Sequence, residues 1–152
     1  MSLLLPEFFS KYIETANILI REWQVLSGYA FVFPNSFFPL SFSKSVFRKL
    51  SNPPEYEYIA EKIEKNDWED NKELIFMGNC NFLYMTDLKL RNSIISDLGS
   101  DGEYYVQDNY LFWKIPCKDD NVIDLIHSEQ YQKIAAALTD NELLNDMTYD
   151  DF

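Results

Sequence analysis

The run EYYVQDNYLFWKI, Glu103 to Ile115, constrains the fold of this chain more than any other stretch. Asp108 and Asn109 tolerate the left-handed backbone region better than most residues, so the pair predicts a two-residue turn between EYYVQ and YLFWKI. In the second strand, alternation sends Tyr110 and Phe112 to one face and Leu111, Trp113 and Ile115 to the other. A strand that is apolar on both faces lies inside a sheet covered on both sides, or covers a partner with one side. For each aromatic taken singly, the core is the expected place.

The rest of the chain supplies helices and further strands. Phe8, Phe9, Tyr12, Ile13, Ala16, Leu19, Ile20 and Trp23 recur at three and four, drawing one apolar stripe along a helix expected to pack on the sheet. Pro6 suits its first turn, Glu7 favours its positive end, and Gly28 can end it in a left-handed cap. YAFVFPNSFFPLSFS predicts a strand from Tyr29 to Phe33, a Pro-Asn turn, then an irregular or edge strand, because Pro34 and Pro39 cannot donate to a central ladder. Lys44, Arg48 and Lys49 form a local basic patch on a short helix after Ser43, facing solvent. A further helix restarts near Pro54 with Tyr56, Ile59, Ala60 and Ile63 on one face. LIFMGNCNFLYM predicts two strands about a tight Gly78-Asn79 turn. TDLKLRNSIISDLGSDG predicts a short helix or loop ending at Gly99. VIDLI fits strand or helix, and SEQYQKIAAAL fits a helix capped by Ser128. The tail, from about residue 140 to 152, reads as a short helix with a frayed end.

Helix first, strands in hairpins and helix last point to an α+β fold, a mainly antiparallel sheet packed against N-terminal and C-terminal helices. A chain of 152 residues, 47% of them hydrophobic, is long enough for one real core and too short to need two, so residues 1–152 are expected to form a single domain. No apolar run approaches the roughly 18 residues that cross a bilayer, and no basic-then-apolar leader opens the chain, which predicts a cytoplasmic protein. Cys80 and Cys117 lack partners at metal-ligand spacing, and two thiols are too few to staple a fold that has its own core. Both are expected to be reduced and buried; a bridge between them is the alternative, since both lie at the edge of predicted strands.

Charge bears most directly on partners. With 25 acidic against 13 basic residues the chain carries a net charge of -12, a field that repels phosphate and so argues against direct nucleic-acid or membrane binding. The favoured partner is a basic protein; the competing use of the charge is solubility. Acids gather in three places: Asp67 to Glu73, Asp101 to Glu103 with Asp108, and Asp119 onward. The loop DWEDNKE sets Trp68 among Asp67, Glu69 and Asp70, and the loop after the aromatic strand holds Asp119 and Asp120. Aromatics framed by carboxylates suit a basic partner, because the rings supply a buried anchor while the charges steer encounter. The candidate partner-binding residues are therefore Asp101, Glu103, Asp108, Asp119 and Asp120, with Asp67, Trp68, Glu69 and Asp70 as a second cluster. Short connections should keep the first five near one edge of the sheet.

Catalytic signals are missing from the sequence. His127 stands beside no recognisable nucleophile, and there is no Gly-rich phosphate loop, HExxH or paired CxxC. Counted from Asp67 as a calcium loop, DWEDNKE lacks the central glycine and the terminal bidentate glutamate of the twelfth position. Adjacent carboxylates such as Glu69 and Asp70 have no means of separating their pKa values without a pocket. The expectation is a non-catalytic protein with no cofactor and no metal.

DGEYYVQDNYLFWKIPC resembles a strand pair of bacterial immunity proteins, the proteins that neutralise toxin domains of contact-dependent growth inhibition and related polymorphic toxin systems. In that pair a YVQN-type segment runs into an aromatic strand; here Asp108 interrupts the pattern. The resemblance implies a small cytosolic α+β protein that binds a cognate toxin tightly, often over its active site. A basic nuclease toxin would suit a chain of this charge. The alternatives are an acidic nucleic-acid mimic of phage type, which should spread its carboxylates regularly and carry fewer aromatics, and a cytosolic enzyme of unrecognised type, which needs a pocket with convergent polar groups.

Overall fold

The structure, a computed structural model, describes residues 7–30, 77–116 and 122–144. Among these the elements run α1 (Phe8–Trp23), β1 (Ser27–Ala30), β2 (Cys80–Tyr84), α2 (Leu88–Leu98), β3 (Glu103–Gln107), β4 (Tyr110–Lys114), α3 (Val122–Ile126) and α4 (Glu129–Asp140). The four strands form an antiparallel sheet in the order β1-β2-β4-β3. The fold is α+β, as expected.

Strand β4 sits inside the sheet, and both its faces are covered. Phe112 joins Phe9, Ala16, Cys80 and Phe82 beneath α1. Leu111, Trp113 and Ile115 join Leu90, Ile94 and Leu98 of α2, Leu125 and Ile126 of α3, and Tyr131, Ile134 and Leu138 of α4 on the opposite face. Alternation carries this division across the register: Phe82 pairs with Phe112 on the α1 side, while Leu83 pairs with Leu111 on the other. The sheet is thus the middle layer between α1 and the other helices.

The helix end at Gly99 and the cap at Ser128 form as read, and the structure adds a cap at Asp87. The Asp87 carboxylate caps α2 by accepting from the amides of Lys89 and Leu90 at 3.0 and 3.1 Å, and the helix ends at Gly99 with φ 70°. The Ser128 hydroxyl caps α4, accepting from the Tyr131 amide at 3.3 Å. VIDLI resolves as helix α3, with Leu125 and Ile126 turned into the core.

Three expectations are corrected. The stripe of α1 is right in direction, but Trp23 is 76% exposed and Leu19 is exposed too. Ile20 still packs against the cluster of Phe9, Ala16, Cys80, Phe82 and Phe112, whereas Trp23, the last residue of the helix, does not. Helix α1 does not run to a cap at Gly28. Gln24 takes the left-handed conformation at φ 53°, its amide returning to the Ile20 carbonyl at 2.9 Å, and Gly28 lies in β1. Glycine is needed there for space, since a Cβ would run into the Phe82 ring. Finally, no hairpin closes at Gly78-Asn79: both sides of β2 are taken by β1 and β4, and Gly78 has no positive φ. Its missing side chain lets it lie against the Ala30 carbonyl, and the Asn81 side chain accepts from the Gly78 amide at 2.7 Å and donates to its carbonyl at 2.9 Å.

The strand expected from Tyr29 to Phe33 appears as Ser27–Ala30, and Phe31, Val32 and Phe33 lie outside the described residues. The elements read between residues 34 and 76, Cys117 and the end of the tail also lie outside them. Cys80 is buried. No helix among the described residues is long and apolar enough to cross a membrane.

Candidate partner-binding edge of the sheet

The β3–β4 hairpin closes through Asp108 and Asn109, with φ of 49° and 66°. Two successive left-handed residues make a type I′ turn, whose twist matches that of the flanking strands. Gln107 and Tyr110 flank this turn and pair directly, followed by Val106 with Leu111, Tyr105 with Phe112, Tyr104 with Trp113 and Glu103 with Lys114. The pairing is one to one, with no bulge.

Ladder alternation decides which backbone groups of β3 are used. On the β2 side of β4, the Met85 amide donates to the Asn109 carbonyl at 2.7 Å and the Ile115 amide to the Asn79 carbonyl at 2.9 Å, so odd-numbered residues of β4 bond towards β2. Even-numbered residues of β4 therefore bond to Glu103, Tyr105 and Gln107. The N–H and C=O groups of Tyr104 and Val106 then point away from the sheet. Among the described residues β3 has no neighbour on that side.

Side chains on this edge are exposed as well: Tyr104 by 53%, Tyr105 by 44% and Val106 by 37%. Tyr105, on the α1 side, stacks obliquely on buried Phe112 with ring centroids 5.9 Å apart. Beyond it, Tyr110 meets Tyr84 edge-on at 5.3 Å and donates from its hydroxyl to the Val25 carbonyl at 3.0 Å. Tyr104 and Val106 lie on the opposite face. The edge thus offers apolar surface on both sides of an open backbone, held in place by a buried central strand.

Carboxylates stand at both ends of this edge. Asp101 and Glu103 precede or begin β3, and Asp108 lies in the turn that follows it; all three are exposed. Extended geometry separates Glu103 from Asp108 by about 17 Å. Glu103 reaches Lys114, its cross-strand partner, at 3.7 Å, whereas Asp101 and Asp108 have no ion pair among the described residues. These three of the predicted residues lie in or beside one edge strand. Asp119 and Asp120 lie outside the described residues, as does the whole second cluster of Asp67, Trp68, Glu69 and Asp70.

Sequence reasoning selected the carboxylates here but missed Tyr104, Tyr105 and Val106, because each aromatic was assigned to the core. A signal was present. A hairpin whose second strand is apolar on both faces must place that strand inside, which leaves the first strand as the candidate edge if another strand takes the far side.

Among the described residues no three His, Cys, Asp or Glu side chains gather to hold a metal ion, and His127 is exposed. No family model, curated protein or solved structure matches the chain.

Proposed function

We propose that this is a cytoplasmic, non-catalytic immunity protein of a contact-dependent growth inhibition or related polymorphic toxin system, which binds and neutralises a basic toxin domain. One observation carries the reading: an exposed strand edge rich in tyrosine, bordered at both ends by carboxylates, on a chain of net charge -12. Tyrosines on a rigid strand supply contact area at low entropic cost, and the carboxylates draw a basic surface towards them. The resemblance of DGEYYVQDNYLFWKIPC to immunity-protein strand pairs supports the same reading.

The test is co-expression with a candidate toxin domain, obtained by pull-down or from an adjacent gene, scored by growth, together with association rates of the purified pair at two salt concentrations. Protection should accompany a fast, salt-sensitive association. Replacing Asp101 and Asp108 by asparagine should slow it by about tenfold at low salt. Unimpeded toxicity in cells that make the folded protein, with no complex between the purified pair, would overturn the reading.

A further inference from the structure

We propose that β3 receives an extended, basic segment of the partner as an added strand, hydrogen-bonded to the outward-facing backbone of Tyr104 and Val106. This rests on the toxin-binding reading and adds how the partner is held.

Sheet edges in isolated proteins are commonly guarded by lysine, proline, a bulge or a covering element, because an open row of N–H and C=O groups invites pairing. EYYVQ holds no lysine and no proline, and its register with β4 runs without a bulge. Its outward groups come from two consecutive ladder positions, which is what an incoming strand pairs with. Tyr104 and Val106 on one face and Tyr105 on the other would lie beside alternate side chains of that strand.

The occupant follows from charge. A second copy could pair antiparallel about Tyr105, setting Tyr104 of one chain against Val106 of the other. That arrangement would bring Asp101 and Glu103 of each copy alongside Asp108 of the other, at both ends, between two chains of charge -12. In that register Asp108 faces Gly102, with Asp101 and Glu103 on either side of it, and like charges at such neighbouring positions repel. A strand with lysine or arginine towards each end and apolar or β-branched residues between them has the complementary pattern.

The probe is a synthetic peptide of about eight residues, long enough in extended form to span Asp101 to Asp108, with lysine at each end and alternating valine and threonine between. A control peptide carries glutamate in place of lysine. Amide hydrogen exchange of the full chain should show Tyr104 and Val106 protected by the lysine peptide and unprotected by the control. Val106→Pro removes an outward N–H without touching the β3–β4 ladder, so it should weaken the lysine peptide by about tenfold while the circular dichroism spectrum stays unchanged. The exchange measurement on the unaltered chain decides the matter even if that variant does not fold. Equal protection by both peptides, or protection arising from a dimer seen by sedimentation, would overturn the choice of occupant. A toxin domain that binds while the Tyr104 and Val106 amides exchange freely would overturn strand addition and leave the toxin-binding reading standing. Peptide protection without binding by any toxin domain would do the reverse.

Discussion

Replacing Phe112 by alanine tests the layered core most sharply, with Trp23→Ala as its counterpart. Phe112 is wholly buried in the centre of β4, between α1 and the sheet, with ring centroids 5.8 Å from Phe82 and 5.9 Å from Tyr105. Removing a fully buried phenylalanine side chain forfeits about 1.5 to 3 kcal/mol of transfer free energy. The surrounding rings are held by the strand register and by α1, so they cannot close the gap, and the cavity raises the loss to about 3 to 5 kcal/mol. For a chain of this size that should lower the melting temperature by roughly 6 to 20 °C. Trp23 is larger, yet it is 76% exposed, so its removal should change stability by no more than about 0.5 kcal/mol. Urea unfolding of both variants gives the comparison directly. A loss below about 1 kcal/mol for Phe112→Ala, or above about 2 kcal/mol for Trp23→Ala, would refute the placement of α1 over the sheet.

Gly28→Ala should destabilise by about 1 to 3 kcal/mol, since its methyl group meets the Phe82 ring, and Phe82→Leu in the same chain should recover part of the loss in a double-mutant cycle. Asn109→Gly should stabilise by about 0.5 kcal/mol, because φ of 66° suits glycine at the second position of a type I′ turn; a loss seen in denaturant unfolding would argue against that turn. Burial pushes the Tyr12, Tyr29 and Tyr110 hydroxyls above the ordinary 10.0, with Cys80 adding to the effect at Tyr12 and Tyr84 at Tyr110. A folded pKa raised above the unfolded one leaves stability intact below pH 10 and erodes it as pH rises beyond, so tyrosinate absorbance should show Tyr12, whose hydroxyl is raised most, ionising with unfolding rather than before it. Early ionisation of every tyrosine in the folded protein would contradict the burial of Tyr12 under α1.

Much of the local structure was legible in the sequence because it depends on residues a few positions apart. The alternation in YLFWKI marked β4 as a strand apolar on both faces, either doubly covered or covering a partner, Asp108-Asn109 marked the turn, Ser128 the start of α4 and Gly99 the end of α2. Each rests on a backbone preference or a side-chain period that neighbours supply. Tertiary structure decided what distant segments do to one another. Gly28 and Gly78 looked like a helix cap and a turn, because glycine's freedom is a local property, yet both are needed for close approach, to Phe82 and to the Ala30 carbonyl. Trp23 has the helical phase of a core residue but, as the last residue of α1, stands 76% exposed, which no period along the helix can reveal. The open edge arises in the same way. Nothing within EYYVQ says whether a strand lies on its far side; β3 becomes the edge because β2, some twenty residues earlier in the chain, takes the other side of β4. Strand order is a choice among long-range pairings of similar local quality, settled by which of them buries both faces of β4.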